Sequence, residues 1–202
     1  MTDHIPDEQG QGRAMKAEYL ALSFSPLSAS LRSRWRNNGL SADFLGDYVM
    51  TFLPANEDIA GAWSNQGEIR HAVAYIANEF LENAMKYHER NADIPIGIRL
   101  ELTSEKIVVS ASNGVGAGQA KRYQAFLETT LVNDAGDLLL KQLEQGSAGE
   151  ESTESGAGLL TMISDYGARL GWQFETHPAQ ADLLTVTTSA VLSLTHLPGA
   201  PA

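Results

Sequence analysis

Glu79, Asn83 and Lys86 stand at i, i+4 and i+7 inside an otherwise apolar periodic segment. At about 100° per residue, with Ile69 at the centre of the apolar stripe, Asn83 falls about 40° from that centre, Glu79 about 80° and Lys86 about 100°, all on one side. One helix edge therefore presents a carboxylate, an amide and an ammonium together. These groups flank the buried stripe, so the carboxylate and amide need partners, and a metal–phosphate ligand would supply them. A plain polar network along a helix edge is the competing account. Two glycine-rich stretches add a second chemistry. Ser112-Asn113-Gly114-Val115-Gly116 ends an expected strand as part of a turn reaching Gly118, and Ser155-Gly156-Ala157-Gly158-Leu159 opens an expected helix. Backbone N–H groups at a helix start, with no Cβ in the way, suit a phosphate. The competing account is a pair of loop glycines needing positive φ. Neither stretch is a Walker A loop or a dinucleotide fingerprint.

The elements that must carry these residues follow from periodicity. Ile69, Val73, Ile76, Phe80, Ala84 and Tyr87 form one stripe and predict a helix over about 66–90. Ile96 to Leu102 and Lys106 to Ser112, separated by three turn residues, read as a hairpin. Tyr19 to Phe24 reads as a first strand. Asn38-Gly39 reads as a turn, with Ser41 capping a helix over 42–53 whose stripe is Phe44, Tyr48 and Phe52 with Leu45 and Val49 beside it. Helical patterns occupy about 119–131, 134–145 and 158–170, a polar acidic loop about 146–156, and strands about 172–176 and 183–191. Residues 1–16 and 196–202 read as loose tails around a single domain spanning 17–195. Neighbouring strands pair and helices collect elsewhere. The fold class is therefore α+β: a two-layer α/β sandwich with a mixed or antiparallel sheet and helices on one face.

The 202 residues suit one domain with a real core, 43% of them apolar. Fourteen Lys and Arg against 25 Asp and Glu give a formal charge of −11, which argues against nucleic acid and anionic lipid as partners. The absence of cysteine excludes disulfides, thiolate metal sites and a Cys nucleophile. Met1 to Lys16 lacks an apolar signal stretch, and no run approaches the roughly 18 apolar residues of a membrane span. The expectation is a cytoplasmic protein. His4, His71, His88, His177 and His196 show no metal spacing, and Trp63 and Trp172 read as core. Arg32, Arg34 and Arg36 read as a solvated basic face.

Taken in order, the helix with Glu79-Phe80-Leu81-Glu82-Asn83-Ala84-Met85-Lys86-Tyr87, the strand with Ser112 to Gly116, a variable insert and the Gly156-Ala157-Gly158-Leu159 helix resemble the GHKL ATPase superfamily, which includes histidine-kinase catalytic domains and anti-sigma-factor serine kinases. The first motif looks like its N box, Ser112 to Gly116 stands at its adenine box, Gly156 to Leu159 is similar to its second glycine box, and 146–155 would be its lid. The stretch Arg34 to Leu45 resembles the SiaB-like bacterial regulators, which keep company with anti-sigma-antagonist-type partners.

That resemblance implies a Bergerat-type fold binding ATP and Mg²⁺. Asn83 would hold the metal and Glu79 would be the polarising base. Lys86 would neutralise phosphate charge, and Gly156, Gly158 and Leu159 would line the phosphates. Ser112, Asn113, Gly114 and Gly116 would meet the base. The adenine-box Asp is replaced by Ser112, or by Asn113 if the register slips by one, turning a charge-assisted hydrogen bond into a neutral one about half as strong. The implied function is an ATP-dependent serine/threonine kinase and regulatory binding protein in a bacterial partner-switching pathway, acting on a small anti-sigma-antagonist-like protein; a homodimer stays open. A non-catalytic partner-sequestering module with a degenerate nucleotide site, and a plain ATPase using water as acceptor, are the alternatives.

Overall fold

The computed structural model describes residues 17–25, 31–53, 66–132 and 154–194, with backbone only at 31–37, 129–132 and 154–156. Alternation in the strands sets the sheet. In β2 (Ile96–Leu102) the even-numbered Ile96, Ile98, Leu100 and Leu102 are buried while Arg99 is exposed; in β3 (Lys106–Gly116) the odd-numbered Ile107, Val109, Ala111, Asn113 and Val115 are buried. A period of two puts each set on one face. β1 (Glu18–Phe24), β4 (Arg169–His177) and β5 (Gln180–Ser193) complete five antiparallel strands in the order β1-β2-β3-β5-β4. The β2–β3 turn is tied by the Thr103 hydroxyl, which accepts from the Lys106 N–H at 3.1 Å.

The helices α1 (Leu31–Met50), α2 (Gln66–Lys86), α3 (Ala117–Val132) and α4 (Glu154–Ser164) cover the buried face. This is the expected α+β two-layer fold, with a sheet that is antiparallel throughout. α2 lies at the centre: Ile69, Val73, Ile76, Phe80 and Leu81 sit in one core with the β2 and β3 apolar sets. Ile76 and Leu81 are fully buried, and truncating either to Ala costs about 2–5 kcal/mol. The helix stops at Lys86, four residues before the expected end. The chain then crosses beside β3, where the Glu89 N–H donates to the Gly114 carbonyl at 2.8 Å.

Four local expectations change. α1 runs straight through Asn38-Gly39, which is helical and not a turn, so Ser41 caps nothing. Packing on α2 overrides the turn propensity: α1 buries Ala42, Leu45 and Val49 and leaves Phe44 substantially exposed, as is Phe52 just past its end, while Tyr48 packs partly against the core. β3 continues through Asn113 to Gly116 because β5 supplies a ladder opposite each of those residues, and α3 starts at once with Ala117, leaving no glycine turn. α4 spans 154–164, not 158–170. It ends in a turn in which the Ala168 N–H donates to the Met162 carbonyl and Gly167 takes φ 60°, a C-terminal cap that glycine adopts without strain. The expected tails, the 134–145 helix, Trp63 and the loop up to residue 153 lie outside the described residues, as do the side chains of Arg32, Arg34 and Arg36. No described helix is long and apolar enough to cross a membrane.

Candidate functional site

α2 carries a seam of polar side chains along the edge that meets α4. A hydrogen bond joins the Tyr75 hydroxyl to the Thr161 side chain, and the Tyr75 and Tyr166 rings lie 5.4 Å apart. One turn further along α2, the Glu79 carboxylate rests against Gly158; a Cβ at Gly158 would collide with it. Gly158 is buried inside the helix, one turn from its start, so its missing side chain makes room for Glu79. The role expected of Gly158 from the sequence is to let backbone N–H groups at a helix start approach phosphate. The unpaired N–H groups of this helix belong to its first four residues, among them Gly156. Leu159 is buried in the main core.

Glu79 is half-buried. Burial, and then the neighbouring Glu82 carboxylate, raise its pKa above the ordinary carboxylate value. Such a group is a better proton acceptor near neutral pH than an exposed glutamate. Glu82 itself accepts from Asn78 Nδ2 at 2.9 Å. Asn83 is half-buried one turn beyond Glu79, and its carbonyl accepts from the Tyr87 N–H. Lys86 is exposed at the end of the row, its Nζ 5.4 Å from the Tyr87 ring centroid, so its charge sits at the solvent rim. The three groups thus share an edge, with Glu79 pressed against α4. Among the described residues no cluster of three or more His, Cys, Asp or Glu could hold a metal ion. Glu79 and Asn83 carry the side-chain oxygens on this edge that could reach a Mg²⁺ ion held chiefly by phosphate and water.

At the other glycine stretch the two candidate box residues separate. Ser112 pairs with Gly97, and its Oγ would lie 2.9 Å from a Cβ built there, on the face away from the helices. Asn113 lies on the helix-facing side, opposite Val186 and beside the cluster of Val115, Ala120 and Val186 with Tyr123 and Phe174. It is 8% exposed, and its Nδ2 has no hydrogen-bond partner. Extending the apolar alternation of Ile107, Val109 and Ala111 by one step places Asn113 on the buried face from sequence alone. Gly114 packs under Ala92 and Ile94 on the opposite face, and a Cβ at Gly116 would stand 3.2 Å from a Glu89 carboxylate oxygen. Those two glycines therefore line strand packing. Trp172 is partly buried and packs against the core, its Nε1 donating to the Tyr123 hydroxyl at 2.8 Å. His71 lies edge-on to Tyr166.

An open depression of about 460 Å³ lies at the end of β3 and the start of β5, lined among others by Glu89, Asn91, Gly116 and Asp182. It contains neither Glu79, Asn83 nor Gly158, and its carboxylates do not suit phosphate.

No family model and no curated protein matches this chain. Among solved structures, a chain of the SiaB–SiaC complex from Pseudomonas aeruginosa matches with a TM-score of 0.56 at 16% identity, over 86% of this chain and 89% of that one. At that identity the likeness is one of fold.

Proposed function

We propose that this chain is an ATP-dependent serine/threonine protein kinase and regulatory binding protein in a bacterial partner-switching pathway. The observation that carries the reading is the Glu79 carboxylate, half-buried with a raised pKa, on the α2 edge against Gly158 of α4 and one turn from Asn83. The fold shared with a chain of a two-protein assembly, SiaB–SiaC, supports a protein partner. The −11 formal charge directs that partner away from nucleic acid.

In this reading the Asn83 side-chain oxygen holds Mg²⁺, which supplies charge neutralisation to the phosphates. Lys86 adds a positive charge at the rim, and N–H groups of the first turn of α4 face phosphate oxygens. Glu79 accepts the proton of a serine or threonine hydroxyl on the partner. The hydroxyl oxygen forms the new bond to the γ-phosphorus, the bond from that phosphorus to the bridging oxygen breaks, and ADP leaves. The chain contributes positioning and electrostatics, with no covalent intermediate of its own. Radiolabelled ATP with a candidate partner tests this. Transfer that Glu79→Ala and Asn83→Ala abolish supports it; no transfer, or transfer undiminished in both variants, ends it.

A second reading has its own support. The Glu79 carboxylate fills the approach to Gly158, and no carboxylate stands at the adenine-box position. Both features fit a non-catalytic module that sequesters its partner. Absence of binding heat and of any melting shift at millimolar Mg-ATP would favour it, since a ligand of the folded state must stabilise that state.

A further inference from the structure

We infer that the outer face of α1 is where a second copy of this chain docks, the two α1 helices lying antiparallel about a two-fold axis. The inference goes beyond the phosphoryl-transfer reading and does not depend on it. It starts from a row of apolar side chains turned away from the core. Leu40 is 72% exposed and Phe44 48%. Tyr48 and Phe52 continue the row at four-residue spacing, with ring centroids 6.2 Å apart between Phe44 and Tyr48 and 5.1 Å apart between Tyr48 and Phe52. Isolated exposed apolar residues are ordinary. A contiguous row on a helix whose other face already buries Leu45 and Val49 marks a contact surface.

The charges on α1 say which partner fits. A helix favours acidic groups at its start and basic ones at its end, yet α1 has no acidic residue in its first turn and no basic one in its last. The order is reversed: Arg32, Arg34 and Arg36 come first, Asp43 and Asp47 last. Each end is electrostatically unfavourable in a lone helix. An antiparallel copy lays the basic start of one helix along the acidic end of the other and offsets both. Asp43 and Asp47 moreover share the single Arg70 guanidinium, at 3.9 and 2.6 Å, so that cation neutralises only one of the two carboxylates.

A two-fold level with residue 42 sets Leu40 opposite Phe44 of the second copy, and Arg36 within about one residue's rise of its Asp47. At about 100° per residue, positions 36, 43 and 47 fall within about 40° of one another, beside the Leu40–Phe44 row. A two-fold lying across the helices keeps that flank on the same side in both copies, so basic positions meet acidic ones. A parallel pair would set like charges level with each other. The contact is self-complementary, as a two-fold interface must be. It is one helix wide and about 30 Å long, which places it among small interfaces of modest affinity.

Sedimentation equilibrium of the full chain, from about 1 to 200 µM, tests this. The expected result is a monomer–dimer equilibrium with a dissociation constant on the order of 10 µM, weakened about tenfold or more in Phe44→Glu while the melting midpoint holds. Cross-linking reads the orientation. The chain has no cysteine, so Ser33→Cys and Thr51→Cys each introduce one thiol, about 27 Å apart along the outer face. A short bismaleimide joins the two variants when they are mixed and joins neither to itself. A single chain at every concentration leaves the row to some other protein and overturns the inference, as does an undiminished dimer in Phe44→Glu. Cross-linking within either variant alone, or none in the mixture while the dimer forms, overturns it too. If Phe44→Glu does not fold, Leu40→Glu at the more exposed position takes its place.

Discussion

Two glycines let two helices press against α2, and they teach opposite lessons. At Gly46 of α1, a Cβ would stand 2.9 Å from the Arg70 carbonyl oxygen and 3.2 Å from the Ala74 Cβ. These are a main-chain atom and a short side chain, and neither can step aside. At Gly158 of α4, the obstructing atoms are the far end of Glu79, a side chain with three rotatable bonds. The first seam is built of apolar and fixed groups: Ala42, Leu45 and Val49 are buried there, and Arg70 reaches out to Asp47 at 2.6 Å on the surface. The second is built of hydroxyls and a carboxylate at raised pKa. One seam is held by groups that cannot move aside, and the other by a side chain that can turn away.

The largest effect on stability is expected at the fixed seam. Gly46→Ala forces the helices apart and lowers unfolding free energy by about 1–3 kcal/mol, read from urea midpoints. Tyr75→Phe removes the hydrogen bond to Thr161 that pins the second seam and costs about 1 kcal/mol by the same measurement.

Glu79→Gln has a sign that depends on pH. Because burial raises the Glu79 pKa, the folded chain holds that proton more tightly than the unfolded one. The cost of the buried charge is absent below the ordinary carboxylate pKa and grows as pH rises through the raised value. Glu79→Gln therefore matches wild type near about pH 3 and exceeds it near about pH 8, by at most about 1 kcal/mol, since solvent screens a half-exposed group. Equal midpoints at both pH values would remove the electrostatic distinction between the seams.

Gly158→Ala has the smallest effect on stability, within about 1 kcal/mol of wild type, because the helical preference of alanine offsets the cost of turning Glu79 away. On the kinase reading proposed above, the expected consequence is functional: with the carboxylate displaced, phosphoryl transfer would fall as in Glu79→Ala, while the melting transition stays in place. Transfer at the wild-type rate would mean that Glu79 acts from some other position.

The sequence made the sheet hairpin and α2 readable because both carry long, regular apolar periods: Ile96 to Leu102 by twos, Ile69 to Ala84 by threes and fours. It misled where local propensity and tertiary packing disagree. Asn38-Gly39 has turn chemistry, yet Leu45 and Val49 hold α1 continuous on α2. Gly114 and Gly116 have loop chemistry, yet β5 pairs with them and Ala92 and Ile94 pack closely on Gly114. The Glu79–Asn83–Lys86 edge was legible from helical spacing alone. The contact of Glu79 with Gly158 was not, because it joins residues 79 positions apart through a helix whose start the sequence placed four residues late. The partner of Tyr75 in α4 was hidden for the same reason.

In the function proposed above, the α2 edge would hold a nucleotide phosphate through Asn83 and its metal. Titration of Mg-ATP into wild type and Asn83→Ala, followed by calorimetry on the same samples used for melting, tests it most directly. The expected result is saturable heat and a raised melting midpoint for wild type, with affinity at least about tenfold weaker in a folded Asn83→Ala. Equal affinities, or no binding by wild type at millimolar nucleotide, would contradict it.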